Sequence, residues 1–153
     1  MKILKSFLYA FQGVKHCVVT QKNFRFHIVA AISVLIASGF YDFGKFEFLM
    51  LAATIMLVLI CEMINTSIEA TIDMNCSEYN INAKIAKDVS AAAVLMSALL
   101  AVAVAFVLFW DIDRICMIIT YFIKKPLLLT ALLLYAVLCV LFISGAPFKN
   151  NDR

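Results

Sequence analysis

The sequence is poor in charged residues and in glycine, and each scarcity excludes a class of protein. Charged residues make up 15% of the 153 residues, whereas hydrophobic residues make up 65%. A soluble domain of this length needs a more polar surface, so the composition indicates an integral membrane protein. The four glycines are isolated, and neither GxxxxGK nor GxGxxG occurs. Any nucleotide would therefore bind without a glycine-rich phosphate loop.

The five cysteines and two histidines lack the spacing of a zinc site. No CxxC pair occurs, and neither His16 nor His27 has a strong metal ligand three or four residues away. We expect the cysteines to be small hydrophobic residues and no zinc to bind. We also expect no cleaved signal peptide, because residues 1–25 contain no uninterrupted apolar core. The small positive net charge matters only through its distribution, which indicates the orientation in the membrane and not a nucleic-acid partner.

The hydrophobic pattern predicts an all-α integral membrane bundle in which an amphipathic surface helix over residues 1–25 precedes the membrane helices. Three core transmembrane helices, an interfacial helix and one extra transmembrane helix are predicted over residues 26–41, 46–74, 89–110, 111–125 and 127–143. The third of these helices carries small residues every four positions, which favour close helix packing. These small residues are Ala93, Ser97, Ala101 and Ala105.

The cytoplasmic end of the second predicted span has an acidic face. At about 100° per residue, Asn65, Thr66, Glu69 and Asp73 lie close to the line that runs down the helix from Glu62. An acid near the centre of a membrane helix costs roughly 2.5–3.5 kcal/mol, and less near the interface. We therefore interpret this face as a functional site.

A second polar group follows along the chain. Glu78, Tyr79 and Asn80 precede a helix on which Lys84, Lys87 and Asp88 share one face. Carboxylates can hold Mg²⁺ and accept a proton, and lysines can neutralise phosphate oxygens, so the inventory suits phosphoryl transfer. An ion or proton pathway also uses membrane carboxylates, and composition does not separate the two interpretations.

The distribution of basic residues predicts the orientation. Nine of the 13 Lys and Arg residues lie in the amino-terminal segment, the 84–87 region and the carboxyl-terminal tail. By the positive-inside rule both termini and the acidic face should be cytoplasmic.

The motif Glu62-x-x-Asn65-Thr66-Ser67-Ile68-Glu69-x-x-x-Asp73, followed by Ser77-Glu78-Tyr79 and Ala86-Lys87-Asp88, resembles the bacterial membrane family of diacylglycerol kinases and undecaprenol kinases. The resemblance extends upstream through Ala10–Lys15 and Asn23–His27 and covers roughly residues 2–110. It implies that residues 1–110 form a membrane lipid kinase domain in the bacterial inner membrane. Residues 111–153 would add an interfacial helix, a transmembrane helix and a tail.

The resemblance also implies a role for individual residues in a homotrimer that uses ATP and Mg²⁺. Glu62 would be the general base for a lipid hydroxyl, with Asn65 orienting the reacting groups, and Glu69 would bind the metal. The nucleotide would contact Lys2, Tyr9, Glu69, Glu78, Tyr79, Asn80, Lys87 and Asp88. The lipid would contact Lys15, Asn23, Phe24, Arg25, Glu62 and Ala91.

The sequence departs from the family pattern at two places. Gln21 stands where the family usually has a glutamate that serves as second metal ligand, and an amide oxygen binds a hard dication more weakly than a carboxylate does. Residues 111–153 extend beyond the usual three spans. A catalytically weakened or non-catalytic member is therefore one alternative. A small ion-coupled transporter is another, although residues 111–153 hold no counterpart of the acidic motif.

Overall fold

The computed structural model describes residues 2–76 and 78–148, except for the side chain of Lys2. Within them the chain forms six α-helices and one 3₁₀ turn and no strand, which confirms the all-α prediction. The elements are α1 (Lys2–Thr20), α2 (Lys22–Ser38), α3 (Lys45–Asn75), α4 (Ile81–Phe109), α5 (Ile112–Ile123), α6 (Pro126–Ser144) and the turn Ala146–Phe148. The predicted nucleotide contact of the Lys2 side chain lies outside the described residues.

Three of the described helices, α3, α4 and α6, are long and apolar enough to cross a membrane. The predicted first span is α2, whose 17 residues reach about 26 Å at 1.5 Å per residue, slightly less than a bilayer core. The prediction placed its start at residue 26, but the helix begins at Lys22. The backbone at Gln21 is extended, with φ −99° and ψ 113°, and so ends α1 and starts α2 earlier than the pattern indicated.

The helices α3 and α4 form a hairpin that is longer than the membrane is thick. At 1.5 Å per residue, the 31 residues of α3 reach about 47 Å, whereas a bilayer core is about 30 Å thick. The last turns of α3 therefore project beyond the apolar layer. We expected the next helix to begin at Lys84, but α4 begins at Ile81 because the Asn80 side chain accepts hydrogen bonds from Asn82 N and Ala83 N and caps it.

The buried face of α3 repeats every three or four residues. Leu51, Thr54 and Val58 are buried, and the same line continues to Glu62 and Asn65. On α4, Ser90 and Ser97 are buried against it. Small side chains on α4 let the two backbones approach closely, so the core of this membrane protein lies along one helix-helix seam.

The chain beyond α4 forms a second hairpin, α5 and α6. Asp111 caps α5 by accepting a hydrogen bond from Arg114 N at 3.0 Å. Pro126 starts α6, and Gly145, at φ 77°, ends it, as the sequence predicted. This C-terminal hairpin packs on the outer side of α2, where the hydroxyls of Ser33 and Tyr135 are 2.9 Å apart.

Candidate active site between α3 and α4

Glu62 lies at the centre of the candidate site. Only 3% of the residue is exposed. No hydrogen bond or ion pair engages its carboxylate among the residues that the structure describes, whereas Thr66 Oγ1 donates to its backbone oxygen at 3.0 Å. No fully shielded side-chain oxygen in the described residues lacks a hydrogen-bond partner, so the small exposed part of Glu62 includes its carboxylate. A nearly buried carboxylate that keeps a small opening is typical of a functional position.

Asn65 connects Glu69 on its own helix to Ser90 on α4. Its Nδ2 donates to Glu69 Oε1 at 3.0 Å, and Ser90 Oγ donates to its Oδ1 at 2.6 Å. A carboxylate only accepts hydrogen bonds, so the amide is oriented with its NH₂ group towards Glu69. The predicted orienting residue therefore has a fixed geometry beside Glu62.

Ser90 is a residue of this network that the sequence analysis missed. It lies one turn beyond Lys87 on α4 and is buried, and its hydroxyl also contacts the backbone oxygen of Lys87 at 2.9 Å. The available signal was a serine at i+3 from a predicted phosphate-binding lysine. The hydrogen bond to Asn65 depends on helix pairing, which the sequence pattern does not show.

The two lysines of α4 form ion pairs with different acids. Lys87 Nζ is hydrogen-bonded to Asp73 Oδ1 of α3, so this pair joins the two helix ends. Asp88 pairs instead with Lys84, at 3.0 Å. Lys87 and Asp88, which are adjacent in the sequence, are therefore not paired with each other. Exposed pairs of this kind add little stability, so their positions matter mainly for charge.

A cavity of about 290 Å³ lies beside these pairs, between the end of α3 and the start of α4. Its size is close to the low end of small-molecule sites, roughly 300–1,000 Å³. It is lined by Ile72, Asp73, Cys76, Glu78, Tyr79, Asn80, Ala83, Lys84, Lys87 and Asp88. The structure thus brings together five of the residues predicted to bind nucleotide. The amino terminus of α4 adds a positive helix-dipole end that favours anions.

A cysteine of α1 completes the surroundings of Glu62. Cys17 is buried, and its thiol lies near Thr66 and Glu62. Burial raises the pKa of the Cys17 thiol, the nearby Thr66 hydroxyl opposes this shift, and the Glu62 carboxylate adds to it. The thiol is therefore a packing group, as the sequence predicted, and it fixes where α1 meets the site.

The other predicted residues lie at varying distances from this centre. Tyr9 and Lys15 are exposed on α1, and Asn23 and Ala91 are also exposed. The side chain of Gln21, at the start of α2, makes no capping hydrogen bond. Phe24 and Arg25 are buried near the same junction. The structure does not test their predicted contacts with lipid, nucleotide or metal.

The fold and the site define a helical membrane protein with a buried carboxylate in the α3–α4 seam and, about three turns further along α3, a cavity lined by acids and lysines. The sequence profile of the prokaryotic diacylglycerol kinase family matches residues 8–109. The chain therefore belongs to this family, whose members are lipid kinases.

Individual relatives agree with this assignment. The chain is 40% identical to a diacylglycerol kinase of Synechocystis over 67% of its own length and 59% of the relative's. It is 32% identical to the undecaprenol kinase of Bacillus subtilis over 71% of this chain and 88% of that protein. It is 31% identical to the diacylglycerol kinase of Escherichia coli K12 over 72% of this chain and 90% of that protein. The chain thus spans less than two thirds of the Synechocystis relative.

Proposed function

We propose that this protein transfers the γ-phosphoryl group of ATP to the hydroxyl of a membrane lipid alcohol, diacylglycerol or undecaprenol. The observation that carries the proposal is the position of Glu62. Its buried carboxylate lies in the α3–α4 seam, one helical turn from Asn65 and two turns from Glu69. A proton acceptor in the helix seam, with a polar cavity about three turns further along α3, suits a reaction between a lipid and a water-soluble nucleotide.

In this reaction Glu62 accepts the proton of the lipid hydroxyl. The hydroxyl oxygen forms a bond to the γ-phosphorus, the bond from that phosphorus to the β–γ bridging oxygen breaks, and ADP leaves. Asn65, held between Glu69 and Ser90, keeps the polar groups of the seam in place. Positioning of this kind supplies most of the catalysis in phosphoryl transfer.

The nucleotide phosphates are assigned to the 290 Å³ cavity. Lys87 and Lys84 supply positive charge there, and Glu78, Tyr79, Asn80 and Asp88 lie along its wall. The Oδ1 atom of Asn80 accepts hydrogen bonds from Asn82 N and Ala83 N and so caps α4, which leaves its Nδ2 group for the nucleotide. Tyr9 and Lys2 of α1 are proposed to approach the nucleotide from the other side.

Glu69 is the residue proposed to hold Mg²⁺. Magnesium sites in kinases use one or two carboxylates together with phosphate oxygens and water, and a single half-buried glutamate beside the cavity fits that requirement. One of its oxygens already accepts from Asn65, which leaves the other available. The ion would neutralise charge that develops on the phosphates. Gln21 remains a proposed weak second ligand.

The lipid is proposed to reach Glu62 along α1 and the start of α2. Apolar side chains of α1, including Phe7 and Phe11, are exposed and suit a helix that lies in the membrane surface. Lys15, Asn23, Phe24, Arg25 and Ala91 are the proposed contacts of the lipid. We further propose a homotrimer in the bacterial inner membrane, with both termini cytoplasmic.

The test is transfer of labelled γ-phosphate from Mg·ATP to each lipid alone in mixed micelles. We expect labelled phosphatidic acid or undecaprenyl phosphate from the wild-type protein and only background from Glu62→Gln. Label on one lipid identifies the acceptor. Absence of label from both lipids, with protein shown to be folded and oligomeric, would contradict the proposal and favour a non-catalytic family member.

Introducing a carboxylate at residue 21 distinguishes a catalytically weakened enzyme from an inactive family member. If Gln21 limits metal binding, Gln21→Glu should lower the Mg²⁺ concentration needed for half-maximal rate. An unchanged Mg²⁺ dependence would exclude Gln21 from the metal site.

A further inference from the structure

The guanidinium of Arg25, on α2, binds both the neighbouring helix α1 and the end of α6, which is distant in the sequence. Its Nη1 donates to the backbone oxygens of Val18 and Val19, at 2.9 and 2.8 Å, and its Nε donates to the backbone oxygen of Ile143 at 3.2 Å. Only 6% of the residue is exposed. One side chain therefore connects the end of α1 and the start of α2 to the end of α6. Of these three, only α6 lies outside the family match.

Two further residues of the C-terminal hairpin complete this contact. The ring of Phe148 lies 5.8 Å from the guanidinium carbon of Arg25. Gly145 has φ 77°, and a Cβ atom added there would lie 3.0 Å from Nη2 of Arg25. The backbone of Gly145 thus has a left-handed conformation, and its lack of a side chain makes room for the guanidinium. We call Arg25, Gly145 and Phe148 the arginine clamp.

The arginine clamp lies one residue away from the candidate site. Val18 follows Cys17, which is buried near Thr66 and Glu62. Holding the backbone oxygens of Val18 and Val19 fixes the last turn of α1, and that turn carries Cys17. A path therefore leads from the end of α6 through Arg25 and the last turn of α1 to Cys17, which lies near Glu62.

We propose that the C-terminal hairpin positions the end of α1 over Glu62 through the arginine clamp, and so sets how the lipid hydroxyl is presented to the carboxylate. Arg25 is then a positioning residue whose N–H groups are bound to backbone oxygens. The inference rests on the proposed function for its kinetic consequence, but the position of Cys17 can be measured without any activity.

The opposite end of the same hairpin provides the matched control. Arg114 Nη1 donates to Asp42 Oδ2 at 2.9 Å and to the backbone oxygen of Phe40 at 3.2 Å. This contact also ties the hairpin to α2, but at the end of α2 remote from Glu62. Arg114→Gln should loosen the hairpin as the clamp variants do, without disturbing the end of α1.

The kinetic experiment compares Gly145→Ala and Phe148→Ala with Arg114→Gln in the full chain. We expect both clamp variants to lower kcat/KM for the lipid by about threefold, the order of effect of one disturbed contact between a guanidinium and an aromatic ring, and to leave the KM for ATP unchanged. Arg114→Gln should change neither value. Equal losses in all three variants would show a general structural role and overturn the proposal.

The structural experiment measures alkylation of Cys17 by N-ethylmaleimide, read by peptide mass spectrometry, with the exposed Cys116 as reference. Cys17 should react several times faster in the clamp variants than in the wild type or Arg114→Gln. Unchanged Cys17 labelling would overturn the proposal even if the kinetics changed. If the wild type phosphorylates neither lipid, the proposed function fails, and the labelling still decides whether the clamp positions α1.

Discussion

The two hairpins of this protein differ in where their polar groups lie. In the hairpin of α3 and α4, Glu62, Asn65 and Ser90 are buried together in the seam. In the hairpin of α5 and α6 no residue is buried, and polar contacts with the rest of the chain are at the two ends and at the Tyr135 hydroxyl. Buried polar groups are costly in a membrane helix, so their concentration in one hairpin separates the reacting part from the supporting part.

This comparison also explains why acidic residues have different roles in the two hairpins. Glu62 and Asp111 are both acids next to apolar runs, but Asp111 is exposed and caps a helix. A cap lowers the free energy of one helix, whereas the partial desolvation of the Glu62 carboxylate raises the free energy of the fold. Predictions that remove single groups can test this division between the two hairpins.

The largest effect is expected for Glu62→Gln. The amide keeps the size of the side chain but cannot accept the hydroxyl proton, so kcat should fall by about 10²–10⁴-fold. Glu47→Gln, at the opposite end of α3, should leave the rate unchanged. Phosphate transfer and size-exclusion chromatography of both variants make the measurement. Near wild-type turnover by Glu62→Gln would show that another group is the base.

Glu69→Gln should affect the nucleotide rather than the lipid. The substituted amide would still present an oxygen to Asn65 but would bind Mg²⁺ more weakly, so the KM for Mg·ATP should rise and kcat should fall. The rate is measured against ATP at several Mg²⁺ concentrations. Asp113→Asn, in the first turn of α5, is the control acid. If excess Mg²⁺ does not partly restore Glu69→Gln, the residue is not a metal ligand.

The two cavity lysines should differ in importance. Lys87 pairs across the hairpin with Asp73, whereas Lys84 pairs with Asp88 on its own helix. We expect Lys87→Gln to raise the KM for ATP by about tenfold, as for a lost hydrogen bond to a charged group, and Lys84→Gln to raise it less. Lipid KM serves as the internal control. The reverse order would place the phosphates nearer to Lys84.

Ser90→Ala tests the link between the two helices. The change leaves the buried Oδ1 of Asn65 without its partner, which costs about 1–3 kcal/mol, and it frees the amide to rotate. Thermal unfolding in detergent and kcat should both decrease. Ser97 bonds only to Val94 of its own helix, so Ser97→Ala should change stability by less than about 0.5 kcal/mol. Equal behaviour of the two variants would remove Ser90 from the site.

The smallest effect is expected in the C-terminal hairpin. Tyr135→Phe removes the hydroxyl that lies 2.9 Å from Ser33 Oγ. Interhelical hydrogen bonds in membranes average about 0.6 kcal/mol, so unfolding should shift slightly and lipid kinetics should not change. A kinetic effect as large as that of the clamp variants would show that the middle of α6 also acts on the site.

Local features of the site were predictable from the sequence, but contacts across the hairpin were not. The i, i+4 spacing of Asn65 and Glu69 predicted a shared face, and the structure shows their hydrogen bond. Lys87 was placed on the correct helix, but its partner Asp73 is on the other one. The contact with Ser90 was missed for the same reason. Nearest-neighbour spacing describes one helix and contains no information on the rotation of a second helix against it.

The sequence by itself determined that the protein is helical and membrane-embedded, because apolar residues recur at helical spacing over spans of bilayer length. It also determined which groups are chemically competent. The tertiary structure alone decided that Arg25 binds the backbone oxygens of α1 and α6. Backbone oxygens are present at every residue. The packing of the helices alone therefore selects which of these oxygens accept hydrogen bonds from a buried guanidinium.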